Sequence, residues 1–452
     1  MKSSMSTGRK AQPSAPRVRH SVLLVNQALR VLATATALQF AVPAVALDYN
    51  ATTVYGTVKP SYPDAKTLQL DQTTQTAIQN ITVLNTIAGD RINIVQPNAS
   101  ALYVGRGVGN RPFSLDGNLT ANGQVFLVNQ LGVILGPNST VSAASFVGST
   151  LDISNENILT GNYVFARNGT AGSVTNQGTI TITAPFGYAA LIGPQVSNTG
   201  FISAKMGTVA LAAGDRVALD MVGDGLISVR VEQAALGAAA INSGTIQAAG
   251  GQVILAARSA DALLDTVINN TGIIRANSLV ERNGTIVLDG GSAGVVANSG
   301  TLDVSGVDAG TTGGTVKVLG DKVALLDGTR INASGDAGGG TVLVGGNLHG
   351  AGPEQNATAT FVGTNTSIDA SAVNTGNGGT VAVWSDGATS VHGAIAARGG
   401  AQSGNGGLVE TSGKSLDVRG VRVDTRAPQG SAAVMRRVSA VSRARACSAK
   451  AA

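Results

Sequence analysis

The sequence predicts an all-β fold, a parallel β-helix in which short strands repeat along one axis. Of its 452 residues 43% are hydrophobic and only 13% are charged, a composition too apolar for a disordered chain. A phrase of Asn-x-Gly followed by an alternating apolar run recurs along the chain without helical periodicity. The alternative fold, a β-sandwich, would join its strands by hairpin turns without a fixed phrase at a fixed period.

The recurring phrase sets the period of the predicted helix. Its copies lie 22, 44, 28 and 28 residues apart and begin at Asn176, Asn198, Asn242, Asn270 and Asn298. The 44-residue gap predicts two coils, with residues 225–229 as the strand of the second. At about 25 residues per coil we expect about 12–15 coils, with Val, Ile and Leu facing a shared core. Stacked Asn side chains at the repeated corner can form a hydrogen-bonded ladder.

Residues 1–46 predict a cleaved signal peptide. They hold six Lys/Arg and no acidic residue, and an apolar run ends at the small-x-small site Ala44-Val45-Ala46. An uncleaved membrane anchor and a mitochondrial presequence are the alternatives. The apolar run, about 16 residues, is short for a membrane span.

Residues 47–165 are predicted to form an N-terminal cap and the first coils, and residues 166–430 the continuing repeats. The runs within 48–116 repeat least, so we expect this part to shield the open end of the solenoid. Further on, apolar residues alternate along the stretch 121–153, which predicts that Val125 and Leu127 point into the core.

Residues 431–452 depart from the repeat. They hold five Lys/Arg, no acidic residue and no alternating pattern, so we expect a disordered segment that does not cap the last coil. The abrupt change suggests a truncated or frameshifted end. Between the two basic ends, 20 Lys/Arg face 26 Asp/Glu. A nucleic-acid-binding protein needs a basic stripe on its folded body, so no nucleic acid partner is expected.

Residues 122–136, 149–153 and 190–200 carry a family resemblance. Together with neighbouring phrases they resemble the two-partner secretion, or haemagglutination activity, domain of filamentous-haemagglutinin-like exoproteins, over about residues 51–430. The resemblance implies a right-handed parallel β-helix. It also implies export by an outer-membrane β-barrel with periplasmic POTRA domains, through which the exoprotein passes unfolded. We therefore expect a secreted or cell-surface protein that crosses the periplasm of a Gram-negative bacterium.

By this resemblance, Asn122, Gly123, Asn129 and Gly132 are implied in recognition by the secretion partner. The family usually reads Asn-Pro-Asn-Gly where this chain reads Asn-Gln-Leu-Gly at residues 129–132. That motif orders a tight turn, so turn stability or partner recognition is expected to differ here. The function implied is that of a non-catalytic, haemagglutinin-like adhesin whose receptor the sequence does not identify.

Two other functions stay open. In a β-helical polysaccharide-processing enzyme, Asp215, Asp220 and Asp224 would be the acid and base, although the repeat places other Asp residues at similar solvated corners. The single Trp, six Tyr and eight Phe offer few aromatic sugar subsites. A haem- or haemoglobin-binding exoprotein of the same family is the other possibility. His349 and His392 are far apart in sequence, and we expect no metal or cofactor.

Overall fold

The computed structural model describes residues 47–221, 226–260, 266–432 and 435–439. The predicted signal peptide and residues 440–452 lie outside the described residues. Within the described part, no helix combines the length and apolar character needed to cross a membrane.

A short cap opens the fold. Strands β1 (Asp48–Tyr55) and β2 (Val58–Asp64) pair antiparallel with β4 (Thr76–Thr86) and β3 (Thr67–Gln72). From β3 onward the strands of successive coils pair in parallel, beginning with β3 and β5 (Arg91–Val95). The coils begin at β3, within the segment 47–165 that was predicted to hold the cap and the first coils. Antiparallel strands laid against the first coil cover its edge.

The remaining elements follow in chain order. The next strands are β6 (Leu102–Gly107), β7 (Phe113–Leu115), β8 (Asn118–Ala121), β9 (Gln124–Val128), β10 (Val133–Leu135), β11 (Thr140–Ala143), β12 (Ser145–Ser149), β13 (Tyr163–Ala166), β14 (Ser173–Asn176), β15 (Thr179–Ile182), β16 (Tyr188–Gly193), β17 (Gln195–Asn198), β18 (Phe201–Ser203), β19 (Thr208–Ala213), β20 (Arg216–Met221) and β21 (Ile227–Gln233). They are followed by β22 (Ala239–Asn242), β23 (Thr245–Gln247), β24 (Gln252–Ala257), β25 (Thr266–Asn270), β26 (Ile273–Arg275), β27 (Thr285–Asp289), β28 (Val295–Asn298), β29 (Thr301–Asp303), β30 (Thr315–Leu319), β31 (Lys322–Leu325), β32 (Arg330–Asn332), β33 (Thr341–Val344), β34 (Ala359–Val362), β35 (Ser367–Asp369), β36 (Thr380–Val391), β37 (Ala394–Ala396), β38 (Leu408–Asp417), β39 (Arg422–Asp424) and β40 (Met435–Ser439). A helix α1 (Asn155–Thr160) and a 3-10 helix (Leu348–Gly350) complete the described elements.

Each coil contributes strands to two long sheets. Within each sheet, a strand lies beside the equivalent strands of the adjacent coils. In the described residues the second sheet holds 14 strands. Without the cap strand β2 they mark 13 coils, within the range of about 12–15 that the period predicts. The predicted parallel β-helix is confirmed.

The core is built from register-matched apolar residues. Ile180, Ile202, Ile246, Ile274 and Leu302 occupy the central position of successive strands and are Cα partners from coil to coil. All are fully buried in one continuous hydrophobic core. Because a strand's side chains alternate between faces, their neighbours in each strand point outward. The predicted inward positions of Val125 and Leu127 are likewise confirmed by burial in this core.

The predicted ladder of Asn side chains is present at one corner. From Asn176 to Asn198, Asn242, Asn270 and Asn298, each Nδ2 donates a hydrogen bond to the Oδ1 of the next, at 2.7, 2.8, 2.7 and 2.6 Å. Every member is fully buried. A buried amide satisfied by its own repeat fixes which residue lies above which, and therefore fixes the register of the coils.

Replacing Asn242 by Ala should destabilise the coils around it. The change leaves the Nδ2 of Asn198 without its acceptor and the Oδ1 of Asn270 without its donor. Each orphaned buried group costs about 1–3 kcal/mol, so the urea midpoint measured by circular dichroism should fall. The adjacent, exposed Ser243 is the matched control, and S243A should unfold at the wild-type midpoint. Equal midpoints for both variants would show that the ladder contributes nothing to stability.

The interpretation of the 44-residue gap as two coils is wrong. Asn198 and Asn242 are direct Cα partners in β17 and β22, so the gap is one coil that carries an insertion. Of the run predicted as the missing coil strand, residues 227–229 lie instead in β21, which pairs antiparallel with β20. The insertion folds outside the coil because its apolar residues, among them Val217 and Ile227, bury in a second hydrophobic cluster.

The prediction of disorder for the tail is wrong for residues 435–439. They form β40, which pairs in parallel with β38. Strand pairing uses backbone groups, and the exposed edge of a coil offers a template for it even when the added segment lacks an alternating pattern. For residues 440–452, disorder stays a prediction.

Candidate functional site

The corner at residues 122–123 is fastened to the preceding coil by Gln96. The amide N–H of Gln96 donates to Asn122 Oδ1, and Asn122 Nδ2 donates to the Gln96 carbonyl, both at 2.7 Å. The amide of Gly123 donates to Gln96 Oε1 at 2.9 Å. A Cβ on Gly123 would lie 2.6 Å from the carbonyl oxygen of Ala101, so the corner requires glycine.

The second part of the candidate site is the turn at residues 129–132. Asn129 Oδ1 accepts a hydrogen bond from the amide of Leu131 at 2.9 Å, and the Asn129 carbonyl accepts one from Gly132 at 3.0 Å. Gly132 has a φ of +144°, a conformation that favours glycine. The two residues that match the family motif therefore form the turn, and a tight turn exists despite Gln130 and Leu131.

These residues are mostly hidden in the folded protein. Gly123, Asn129 and Gly132 are buried. Asn122 is exposed, but its side-chain Oδ1 and Nδ2 are both hydrogen-bonded to the backbone of Gln96. Leu131, 42% exposed, is the part of the turn that faces solvent most. In the folded protein the site thus consists of hydrogen bonds that join neighbouring coils and a tight turn, and little side-chain surface is left for a partner to bind.

An external layer covers the neighbouring face of the coils. Helix α1 and the antiparallel strands β13, β20 and β21 pack on the outward side of β9 and β16. Phe126 lies at its centre, with ring centroids 5.2 Å from Tyr163, 6.0 Å from Phe165 and 6.4 Å from Tyr188. The sequence contained a signal for this layer, because residues 188–193 and 208–213 do not alternate between apolar and polar side chains. Such runs are typical of strands covered on both faces, and in the structure both strands are buried along their whole length.

Arg106 ties the external layer to the coils. Its guanidinium donates to Asp152 Oδ1 at 3.1 Å, to Asn155 Oδ1 at 2.9 Å and to the Ile153 carbonyl at 2.5 Å. Sequence reasoning did not identify Arg106 or Gln96 as site residues, because the bonds that matter at this site join each of them to residues more than twenty positions away.

The described candidates for the acid and base are each paired with an arginine. Asp215 pairs with Arg167 at 2.6 Å and Asp220 with Arg230 at 2.9 Å, on the outer layer, and Asp224 lies outside the described residues. In the parts of the chain that the structure describes, no three His, Cys, Asp or Glu side chains form a group that could hold a metal.

The two described histidines occupy separate environments. His349 donates its amide to Glu410 Oε2 at 3.0 Å, while the His392 Nδ1 lies 2.8 Å from the Arg419 carbonyl. Glu410 is a buried carboxylate, 1% exposed, and it fastens the loop that carries His349. The histidines therefore do not form a pair for a shared ligand.

Comparison with known proteins gives one family. The model described as "TPS secretion domain" matches residues 63–304. Among solved structures, the HMW1 secretion domain from Haemophilus influenzae superposes with a TM-score of 0.69 at 29% sequence identity, covering 85% of this chain and 99% of that one.

Two curated relatives, both from Haemophilus influenzae, are named heme/hemopexin-binding protein. One is 28% identical over 221 residues and the other 24% identical over 257 residues. The matches cover 48% and 52% of this chain but only 24% and 27% of the relatives. The chain thus spans about a quarter of the length of the curated relatives it matches.

Proposed function

We propose that this chain, which belongs to the TPS secretion domain family, carries the export signal of a two-partner secretion exoprotein. The partner is an outer-membrane β-barrel with periplasmic POTRA domains. The exported protein is secreted or held at the cell surface after crossing the periplasm of a Gram-negative bacterium.

The burial of the candidate recognition residues carries this proposal. Gly123, Asn129 and Gly132 are buried in the finished coils, so a partner that reads them must bind the chain before those coils close. Recognition of an extended chain and passage of an unfolded chain then belong to one process. Folding follows outside, where each new coil pairs with the one before it.

Deleting the gene for the partner barrel should leave the protein in the periplasm. Without the barrel the extended chain has no route across the outer membrane, so surface protease should no longer reach it. Immunoblots of periplasm and medium, with and without external protease, measure this. Restoring the barrel gene on a plasmid should restore surface exposure. Unchanged surface display in the deletion strain would refute the proposal.

For the exported protein itself we propose a non-catalytic adhesin. Support comes from the continuous stack of coils, which presents polar outward side chains such as Thr181 and Asp303, and from the family resemblance. Beads coated with the purified chain should bind to host cells more than albumin-coated beads do. Equal binding by the two kinds of bead would count against adhesion by this part of the protein.

Haem or hemopexin binding is the second candidate, and the names of the two curated relatives favour it. The separate environments of His349 and His392 give it no support from geometry. A haemin titration followed by absorbance, and a pull-down with purified hemopexin, distinguish it from adhesion. The enzyme alternative has less support, because Asp215 and Asp220 are engaged in ion pairs.

A further inference from the structure

One outward column of side chains is covered at both ends and open in the middle. On the face formed by β19, β24, β27, β30 and β33, the register stacks Ala210, Ile254, Val287, Lys317 and Leu343. Ala210 is buried under the external layer. At the other end, the loop that carries Glu354 crosses the face, and Glu354 binds Lys317 at 2.8 Å. Ile254 and Val287 lie between the two covers and are partly exposed.

A groove of about 270 Å³ lies over this open part. Ile254 and Val287 form its apolar floor, and Leu226 and Val229 from the external layer form one wall. At one end Asp289 pairs with Arg258 at 2.7 Å, so the charges there compensate each other. Pockets for drug-sized ligands measure roughly 300–1,000 Å³ and bury most of the ligand. A smaller, open and apolar trough suits a narrow, extended ligand better.

The wall of the groove is a strand edge. Among the described strands β21 pairs only with β20. The backbone of Ile227 is bound from the other side, since Gln252 Nε2 donates to its carbonyl at 2.6 Å and its amide donates to Thr208 Oγ1 at 3.4 Å. Because backbone groups of alternate residues point to the same side of a strand, those of Val229 also point away from β20, towards the groove.

We propose that this groove binds an extended polypeptide segment, which adds to the edge of β21 as a further strand. A residue of the segment exchanges backbone hydrogen bonds with Val229 and places an apolar side chain on Ile254 and Val287. Directly opposite residues in an antiparallel pair face the same side, so the residue paired with Val229 is the one whose side chain reaches the floor. Uncharged, alternating segments fit, because the ion pairs at the rim are already satisfied. This is strand addition at a sheet edge, with a floor that selects the side chain.

The probe is a fluorescein-labelled peptide, Lys-Thr-Val-Thr-Val-Thr-Lys, whose uncharged, alternating core lies between two lysines added for solubility. It is titrated with the full chain and followed by anisotropy. We expect saturable binding. Methylating the two valine amides should weaken it about tenfold or more, because the N–H that pairs with β21 is lost. Hydrogen exchange of residues 226–233 should slow when the unmethylated peptide is bound.

Val287→Lys places a charge on the floor and should also weaken binding about tenfold or more. Thr301→Lys, on an outward position of the other sheet, is the matched control and should bind normally. Circular dichroism checks that both variants fold. Absence of binding at millimolar peptide, equal binding of the methylated peptide, or normal binding by V287K would overturn the proposal. The proposal would also be overturned if sedimentation showed that two copies of the chain pair through this edge and that V287K separates them, because the occupant would then be a second copy of the chain.

Discussion

Replacing Leu127 by aspartate is expected to unfold the coils around β9. Leu127 is 1% exposed in the main core. Its Cα partners in the adjacent coils are Gly105 and Gly148. Leu127 packs into the space left by the missing side chain of Gly105, where a Cβ would lie 3.3 Å from Leu127 Cδ2. Losing the leucine side chain costs about 2–5 kcal/mol. An unpaired buried carboxylate adds several kcal/mol more.

Leu131→Asp is the matched control, because the same change is made four residues further on at a side chain that is 42% exposed. Limited proteolysis with mass mapping should show rapid cleavage of L127D between residues 102 and 149, while L131D resembles the wild type. Coils of a solenoid contact mainly their neighbours, so the C-terminal coils of L127D should stay resistant. If L127D were as resistant as L131D, the core would tolerate a charge at this level and the assignment of Leu127 to the core would fail.

The period and the core were predictable because they repeat. Identical residues at identical corners, such as Asn242 and Asn270, stack whenever coils stack, so the ladder follows from the spacing wherever its members are one period apart. Alternation then identifies which side of a strand is inside, as at Leu127. These properties depend on local pattern, which a single sequence contains.

The external layer was not predictable from spacing. Between Asn198 and Asn242, a coil plus an insertion has the same length as two coils, and residues 225–229 have strand character in either case. What distinguishes them is whether the run pairs with a coil or with β20, and that depends on contacts between distant segments. The feature of the sequence that indicated an additional layer was the presence of strands that are apolar on both faces.

The candidate site was predictable only in part. The family resemblance identified Asn122, Gly123, Asn129 and Gly132 as candidates. In the structure the first two bond to the preceding coil and the last two form a tight turn. Gln96, which holds two of them, acts through bonds that cross from one coil to the next. Whether the secretion partner recognises these residues in an extended chain is a separate question. It can be decided by a covalent bridge that prevents this part of the chain from extending.

A disulfide between residues 118 and 140 should block export. Asn118 and Thr140 are exposed Cα partners in β8 and β11, and their side chains hydrogen-bond at 2.8 Å. Adjacent strands lie about 4.8 Å apart, within the range of about 4.4–6.8 Å that a disulfide spans. The chain closed by this bridge contains all four candidate recognition residues. In the oxidising periplasm the pair N118C and T140C should form the bridge, and release into the medium should fall close to zero.

The control variants are the two single cysteines, each with Cys447→Ser, since Cys447 is the one native cysteine. Both should be exported normally, and a membrane-permeant reductant should restore export of the double variant. The purified, oxidised double variant should keep wild-type protease resistance, because the bridge lies on the outer face. Barrel-dependent export that is insensitive to the bridge would mean that the partner accepts residues 118–140 already folded. In that case the barrel would still be the route, but recognition of an extended chain would be wrong.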